Sequence, residues 1–369
     1  MARSTKLMRM LDRLLGVPVL HGLAFTRKRR PLPDNPAIIG VIIPTAIGDT
    51  VLCSGVLRAL VDRYPHAQLV VFCGNTNRAA VGLLPFAVKI VQCVFTKPAD
   101  TLRRMRAEKL DLIVDLTPWT RMTAIYARLS APVAVGFDAK AQHRAAAFDV
   151  AVPHDAGAHE IENHALVAAQ FSNRPYAEEV TSKAFDVPDG VDLDRLVLFH
   201  SAAGGTRAAD KAWPPERWAE LARRLVAQGF QVGMTGAPAD ASLVESILDL
   251  ADLARADAMS LCGLMNLGQL VDLLTRVRLL ITIDTGVLHL ASAANGHILA
   301  LHGPTRSRRW GARTPNAVSL DSSHPAAGYI CYGYETHADG GATMLEHSVN
   351  QVFAAAMAKL GSQGAAGSF

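Results

Sequence analysis

The chain has 369 residues, enough for two ordinary domains, with half of the residues hydrophobic and 19% charged. This composition excludes a largely disordered protein, and no apolar run is long enough to cross a bilayer as a helix. The net charge is +4, but residues 1–30 hold eight basic side chains and one acidic one, so the remainder is weakly acidic and a nucleic-acid-binding protein is excluded.

The N-terminal segment, residues 1–36, is predicted to be a basic amphipathic extension. Residues 4–15 favour a short helix, followed by a loose stretch that ends in the RKRR sequence at 27–30. No small-residue cleavage site of the signal-peptide type follows. Two interpretations stay open: an interfacial helix with a polybasic patch on an anionic membrane, or a helix docked on the protein beside a solvated basic linker. The predicted apolar face comprises Leu7, Met10, Leu11, Leu14 and Leu15, opposite Lys6, Arg9 and Arg13.

Residues 37–172 predict a first α/β domain in which buried strands alternate with helices. Continuous apolar strands of this kind are typical of a parallel sheet covered on both faces. A helix is predicted over 48–63, and another around 159–171 closes the domain. The predicted strands are AIIGVIIP, AQLVVFCG, AVKIVQCV, LDLIVDL and PVAVGF.

A polar stretch at 173–194, which contains Pro175, Pro188 and Gly190, is the predicted linker. A second series of strands and helices follows over 195–355, with a helix in PPERWAELARRLVAQG, and a small-residue tail is predicted over 356–369. Two doubly wound domains joined by a linker predict a ligand cleft between them. The second set of strands is RLVLFHS, FQVGMTG, RLLITID and HILALHG.

A Gly-Asp pair follows the first predicted strand in PTAIGDTVLCSGVLRAL. Gly48 lies in the turn, and Asp49 lies at the predicted helix start. Aspartate is a common N-cap residue, so this segment alone favours a structural role for Asp49. A carboxylate at the carboxyl end of a strand also suits a general base.

A long strand-to-helix connection, HSAAGGTRAADKAWPPERW, begins the second domain. Its glycines allow backbone amides to approach an anion, and Lys211 can neutralise a diphosphate. The P-loop spacing is absent. A flexible basic loop without a ligand is the alternative.

The segment LLITIDTGVLHLASAANGHILALHGPT carries the most specific pattern. A buried strand ends at Asp284, Thr285 and Gly286 start a helix, and His289 lies in its first turn. Amides at a helix start bind phosphate, His289 can donate a hydrogen bond there, and Asp284 suits sugar or ribose hydroxyls. The alternative is a capped helix with a buried histidine, but these residue types together at one strand end favour a site.

No metal-binding pattern occurs in the sequence: HExxH, an inter-strand DxD and Cys/His clusters are all missing, and the five cysteines form no CxxC pair. We therefore expect no metal and no cofactor, and a reduced compartment. His302 and His324 are expected to be structural or exposed. Trp213 and Trp310 are expected to pack, although both lie beside loops that could face the cleft.

Taken together, the three segments resemble the ADP-heptose:lipopolysaccharide heptosyltransferases, glycosyltransferase family 9. The similar elements are IIPTAIGDTVLCSGVLRALVDRYP, then GGTRAADKAWPPERWAEL, then DTGVLHLASAANGHILALHGPT, in the family's order and spacing over residues 37–355. Several features depart from the family pattern, including a slightly longer GGTRAADK loop and a tail, CYGYETHADGGATMLEHSVNQV, that is only loosely similar. Gly205 stands where a second threonine often precedes Thr206, and residues 1–36 extend beyond the family core.

The resemblance implies an α/β fold of GT-B type, with two Rossmann-like doubly wound parallel-sheet domains and a cleft between them. The acceptor side is N-terminal, the nucleotide-sugar side is C-terminal, and transfer is inverting and metal-independent. It implies that Asp49 is the base and that Lys211 binds the diphosphate. The donor site implied in this way comprises Thr206, Lys211, Asp284, Thr285, Gly286 and His289.

We therefore predict a glycosyltransferase that moves a sugar, expected to be heptose from ADP-heptose, onto a lipopolysaccharide core or related envelope saccharide. The expected partners are this donor and a lipid-linked acceptor, with an anionic membrane as a further partner of residues 1–30. The expected location is the cytoplasm, peripheral on the inner face of the membrane. Two alternatives stay open: a sugar-nucleotide epimerase of the same fold, and a non-catalytic nucleotide-sugar-binding protein of envelope assembly.

Overall fold

The computed structural model of the protein describes residues 6–25, 28–140, 142–205 and 207–365. The chain divides into two compact units between Glu179 and Val180, called unit 1 and unit 2 below. This boundary lies within the predicted linker, residues 173–194, all of which are described and run without a helix or strand.

Unit 1 alternates strands with helices along most of its length, as the apolar pattern predicts. Its helices and strands in chain order are α1 (Lys6–Phe25), β1 (Ile38–Ile43), α2 (Ile47–Leu52), α3 (Ser54–Arg63), β2 (Gln68–Cys73), α4 (Arg78–Val81), β3 (Val88–Gln92), α5 (Pro98–Ala107), β4 (Leu112–Asp115), α6 (Arg121–Ser130), β5 (Val133–Ala139), a 3-10 helix (Arg144–Ala147), β6 (Val150–His154) and α7 (Glu160–Ala168).

The sheet of unit 1 has the strand order β3-β2-β1-β4-β5-β6, and its strands are all parallel. Successive side chains of a strand point to opposite faces, and both faces of β1 are buried: Val41 packs in one apolar cluster and Ile42 in the other. The strand order reverses between β1 and β4, which is where ligands bind in doubly wound sheets.

Unit 2 repeats this alternation. Its elements in chain order are β7 (Leu196–His200), α8 (Ala208–Lys211), α9 (Pro215–Ala227), β8 (Gln231–Met234), a 3-10 helix (Pro238–Asp240), α10 (Ala241–Ala251), β9 (Ala258–Ser260), α11 (Leu267–Arg276), β10 (Leu279–Ile283), α12 (Gly286–Ala293), β11 (Ile298–His302), α13 (Ser307–Trp310), β12 (Ala317–Asp321), a 3-10 helix (Gly340–Glu346) and α14 (Val349–Ala365).

The sheet of unit 2 has the order β12-β11-β10-β7-β8-β9, again parallel throughout. If the strands of unit 2 are numbered from β7 and the sheet is read from β9 to β12, this order is the same as in unit 1. The strand order reverses between β10 and β7. The structure therefore confirms the predicted α/β class with two doubly wound parallel sheets.

Several predicted boundaries are wrong. The helix predicted over 48–63 is two helices, because the chain is interrupted at Cys53 between α2 and α3. Residues 356–365 of the predicted tail are the second half of α14, since Ala356 and Leu360 are buried in the core of unit 2 and hold the helix in place. Three strands were not predicted: β6, β9 and β12.

The N-terminal helix is also longer than predicted, because α1 continues through Pro18 to Phe25. Its second half packs on unit 1, where Leu20 is fully buried among apolar side chains, and this packing offsets the hydrogen bond that a proline cannot donate. Within the described ranges, no helix combines the length and the apolar character needed to cross a membrane.

Candidate functional site

The first candidate site lies in unit 2, where the strand order reverses between β7 and β10. The two strands pair in parallel with Thr282 opposite His200, so both strands end at the same edge of the sheet. The segment after β7 leads to α8 and Lys211, and the residue after β10 is Asp284. Strand ends at a reversal of order form the crevice that doubly wound sheets use for ligands.

Lys211 and Asp284 form an ion pair at this edge. The Nζ atom of Lys211 lies 2.8 Å from Oδ2 of Asp284 and 3.3 Å from its carbonyl oxygen. The two side chains are 20% and 9% exposed. Burial by itself raises the pKa of Asp284, but the positive charge of Lys211 outweighs it and holds that pKa well below its ordinary range. The Asp284 carboxylate therefore stays ionised at neutral pH.

Two histidines complete the surroundings of Asp284. His289, in the first turn of α12, places Nε2 3.9 Å from Oδ1 of Asp284. His302, at the end of β11, is fully buried, and burial lowers its pKa, so its imidazole is neutral. Its Nδ1 lies 3.4 Å from the hydroxyl of Thr305, whereas Nε2 is buried without a hydrogen-bond partner among the described residues. The expectation that His302 is structural overlooked its place beside Asp284.

The start of α12 supplies groups that can bind an anion. Thr285 occupies the N-cap position and Gly286 is the first helical residue. The hydroxyl of Thr285 makes no capping bond, and within the described part of the chain it is a buried atom without a hydrogen-bond partner. Because helix-start amides carry a partial positive charge, this end of α12 suits a phosphate group next to Lys211.

The segment that carries Lys211 is fixed by residues outside the predicted site. The carboxylate of Asp210 pairs with the guanidinium of Arg207 and accepts a hydrogen bond from the hydroxyl of Tyr329. Burial, together with the bond to Asp210, raises the pKa of Tyr329 to about 12. In the sequence, only the position of Asp210 next to Lys211 could have indicated the role of Asp210. Thr206, another predicted site residue, lies outside the described residues.

The two tryptophans beside the loops differ. Trp213 is buried in the core, where its Nε1 donates to the carbonyl oxygen of His347 at 2.9 Å, so its expected packing role holds. Trp310 lies at the site, where its ring centroid is 6.5 Å from the ring centroid of His289. The guanidinium of Arg309 lies 4.9 Å from the ring centroid of Trp310. The structure thus places an aromatic side chain beside His289.

The second candidate site lies in unit 1, where β1 leads into α2. The N-cap position of α2 belongs to Ala46, and Asp49 is the third helical residue. The N-cap role that the sequence favoured for Asp49 is therefore wrong. Ala46 has φ +65° and ψ 139°, a conformation that only glycine adopts readily. Strain of this kind is concentrated at functional sites, which favours a chemical role for this turn.

A buried asparagine holds the strained turn. The side-chain amide of Asn77 donates to the carbonyl oxygen of Ile43 and to the hydroxyl of Thr50, both at 2.9 Å. That hydroxyl donates in turn to the carbonyl oxygen of Ala46 at 2.9 Å. Asn77 also accepts from the backbone of Gly74 at 3.0 Å, so the turn before Asp49 is fastened to the end of β2.

A buried cysteine and a buried histidine lie close enough to Asp49 for its charge to affect their pKa values. The Sγ atom of Cys53 is 3.3 Å from Nε2 of His164. Burial, and then the charge of Asp49, raises the pKa of the Cys53 thiol well above its ordinary value. Burial lowers the pKa of His164. Both groups are therefore neutral.

The structure thus brings most of the predicted site residues together by unit. Lys211, Asp284, Thr285, Gly286 and His289 lie at one edge of the sheet of unit 2, and Asp49 lies at the corresponding edge of unit 1. Among the described residues, no group of three or more His, Cys, Asp or Glu side chains is arranged to hold a metal ion. The unit 2 site can fix an anion by a lysine and helix-start amides.

The chain matches the model of one protein family over more than half of its length. Residues 99–332, more than half of the chain, match the model of glycosyltransferase family 9 (heptosyltransferase). The lipooligosaccharide heptosyltransferase 2 of Haemophilus influenzae is 31% identical over 132 residues, which cover 36% of this chain and 38% of that protein. The chain therefore matches well under half the length of this curated relative.

Two solved structures share the fold over most of their length. The structure of E. coli ADP-heptose lps heptosyltransferase II superposes with a TM-score of 0.68 at 21% identity, covering 88% of this chain and 99% of that one. The E. coli heptosyltransferase WaaC with ADP gives a TM-score of 0.65 at 16% identity, covering 87% and 99%. This likeness confirms the predicted GT-B type of fold.

Proposed function

The chain belongs to glycosyltransferase family 9, and from this premise we propose that it transfers heptose from ADP-heptose to a lipopolysaccharide core saccharide. The observation that carries the proposal is the ion pair of Lys211 and Asp284 beside the start of α12. The names of the relatives support the heptose and the acceptor, and a structural neighbour solved with ADP supports the nucleotide.

In the proposed reaction, the diphosphate of the donor binds in unit 2 at the amides of Thr285 and Gly286, next to Lys211. The acceptor hydroxyl attacks the anomeric carbon as the bond to the diphosphate oxygen breaks, and that oxygen keeps the electron pair. Fixed amides and an ammonium group stabilise the negative charge that builds up on the leaving ADP. Thr206 is proposed to contribute to the same site.

Asp49 is the proposed general base, and it accepts the proton of the acceptor hydroxyl. Attack opposite the leaving group inverts the anomeric carbon, and the lysine and amides take the place of a metal ion at the diphosphate. The strained turn at Ala46 and its hydrogen bonds from Thr50 and Asn77 support this role, because they fix the backbone that carries Asp49. The proposed place of action is the inner face of the cytoplasmic membrane, where lipid-linked acceptors are made.

A transfer assay tests the proposal. The full-length protein is incubated with ADP-heptose and a lipooligosaccharide that lacks heptose, and mass spectrometry measures the gain of one heptosyl group. NMR of the product gives the anomeric configuration, and chelator is added in a parallel reaction. Transfer with inversion and without metal is expected.

Other outcomes identify the alternatives. Conversion of ADP-heptose without an acceptor indicates an epimerase. Binding of the donor without turnover of any kind indicates a nucleotide-sugar-binding protein. Loss of activity with chelator and its return with magnesium contradicts the metal-free mechanism, and transfer from a different nucleotide sugar contradicts the donor.

A further inference from the structure

Helix α1 is docked on unit 1 along one stripe of its surface. Asp12, Gly16 and Leu20 recur every four residues and so lie on one face. Asp12 accepts from the backbone amides of Arg121 and Met122 at 3.1 and 3.2 Å, which places its charge at the start of α6. Its Oδ2 also lies 3.0 Å from Nη1 of Arg121. This stripe fixes which way α1 faces.

Close packing strengthens the docking. A Cβ atom on Gly16 would lie 2.9 Å from Cβ of Arg121, so the helix approaches α6 at a point where only glycine fits. Leu20 is fully buried in the cluster beneath. An acidic side chain, a glycine and one leucine are thus directed at the protein, whereas Met10 and Leu14 of the predicted apolar face are exposed.

The opposite face of α1 is apolar and exposed. Met10, Leu14 and Pro18 also recur every four residues, and they are called the outward face below. Each lies two residues before a residue of the docked stripe, which is a rotation of about 200° around the helix. Met10 is 52% exposed and Leu14 is 60% exposed. Among the described residues, three of the nine exposed large hydrophobic side chains belong to α1, including both of these, so the apolar exposure is concentrated on this helix.

Positive charge adjoins this helix. Lys28, Arg29 and Arg30 follow its C-terminal end and are exposed. The backbone amide of Arg30 donates to Oδ1 of Asp149 at 2.8 Å, which fastens the basic run to unit 1. Residues 1–30 hold eight basic side chains and one acidic one. An exposed apolar face beside cationic side chains complements an anionic bilayer surface.

We infer that the outward face of α1, together with Lys28, Arg29 and Arg30, docks unit 1 on an anionic bilayer surface. Pro18 cannot donate to the carbonyl oxygen of Leu14, so this acceptor lacks its regular helical donor, and water or a lipid headgroup can supply one. That requirement places the helix at the headgroup level and not in the hydrocarbon. The inference deepens the proposed function by supplying a surface that brings unit 1 to a lipid-linked acceptor.

Sedimentation with vesicles tests this inference. The full chain and the variant M10D/L14D are mixed with vesicles of equal parts phosphatidylglycerol and phosphatidylcholine, and with phosphatidylcholine alone. We expect the variant to lose about tenfold or more of the partition coefficient for the anionic vesicles. Its thermal midpoint should match that of the wild type, because both side chains are exposed. Equal sedimentation of the two proteins would overturn the inference.

A matched control shows whether the effect depends on where the negative charge is added. Leu264 in unit 2 is 53% exposed, so L264D adds the same kind of charge at a similarly exposed leucine elsewhere. We expect L264D to bind the vesicles as the wild type does. A loss equal to that of M10D/L14D would overturn the inference, since it would show a general effect of added negative charge.

A second arm tests the charges. R29E/R30E should lower the binding to anionic vesicles by about tenfold or more, because two cationic side chains near such a surface are replaced by anionic ones. Raised salt should release the wild-type protein. Binding that responds neither to this variant nor to salt would contradict an anionic surface.

A second copy of the chain is the competing occupant of the outward face. Light scattering that finds a wild-type dimer and a monomeric M10D/L14D would overturn the membrane assignment. Calorimetric titration with ADP is run on the same proteins. Vesicle binding and ADP binding can fail separately, so failure of this inference is distinguishable from failure of the proposed function.

Discussion

Lys211 donates a hydrogen bond to Oδ2 of Asp284 at 2.8 Å, and this contact joins the segment after β7 to the end of β10. The two residues are 73 positions apart in the chain. From the sequence, Lys211 was expected to bind the diphosphate and Asp284 to bind hydroxyl groups, as separate roles. In the structure the carboxylate fixes the ammonium beside the start of α12, so the positive charge is oriented before a ligand binds.

The first prediction concerns this pair. K211M leaves Asp284 charged and largely buried without its cation, which should cost about 3 kcal/mol of the free energy of unfolding. The same variant should weaken ADP binding by about tenfold or more, because a charged hydrogen bond to the diphosphate is lost. Urea unfolding and calorimetric titration with ADP measure the two effects.

The double variant K211M/D284N separates stability from binding. With both charges removed, the free energy of unfolding should return to within about 1 kcal/mol of the wild type, whereas ADP binding should stay weak. K183A, at an exposed lysine of unit 2, serves as the control and should change neither quantity. Wild-type ADP affinity in K211M would contradict the assignment of Lys211.

The second prediction is that D49N abolishes transfer and leaves ADP binding unchanged. A lost general base lowers kcat by about a hundredfold or more, and the ADP site is proposed to lie in unit 2. D34N, at an exposed aspartate of unit 1, is the control and should keep wild-type activity. A kcat of D49N within about tenfold of the wild type, equivalent to ~1.4 kcal/mol, would show that Asp49 is not the base.

The third prediction concerns the strained turn. A46G should leave the free energy of unfolding unchanged or raise it by about 1 kcal/mol, because glycine adopts φ +65° without a steric cost. The matched change A165G, inside α7, should lower it by about 1 kcal/mol, as glycine does in a helix. Equal losses in urea unfolding would show that Ala46 is not strained.

The fourth prediction is a loss of stability in acid. Burial lowers the pKa of His200 from 6.5 to about 4. Between these values the unfolded chain binds a proton that the folded chain does not, so the free energy of unfolding falls as the pH drops from about 6.5 to about 4. The loss is on the order of 3 kcal/mol over this window. Burial also lowers the pKa values of His164, His302 and His347.

Urea unfolding at pH 7 and pH 5 measures this effect. H200Q removes one titrating group, so the difference between its two values should be smaller than in the wild type. H337Q, at an exposed histidine, should behave as the wild type does. An unchanged pH dependence in H200Q would show that His200 takes up its proton equally in the folded and unfolded states.

Sequence pattern determined the elements that periodicity encodes most strongly. The apolar runs of β1 and β10 predict buried parallel strands, and the Asp-Thr-Gly-x-x-His pattern places Asp284 and His289 at a strand end and helix start. These are local properties, because strand burial and helix initiation depend on residues a few positions apart. The same reasoning missed β12, whose short, half-exposed sequence has no strong alternation.

Tertiary structure decided what depends on residues far apart in the chain. The pairing of Lys211 with Asp284, the place of His302 beside them and the strain at Ala46 held by Asn77 all require the sheet to bring distant segments together. The same holds for α1: its sequence shows an apolar face, but only the contacts of Asp12 and Leu20 determine that Met10 and Leu14 of that face point outward. Local pattern sets which element forms, whereas long-range packing sets what each side chain meets.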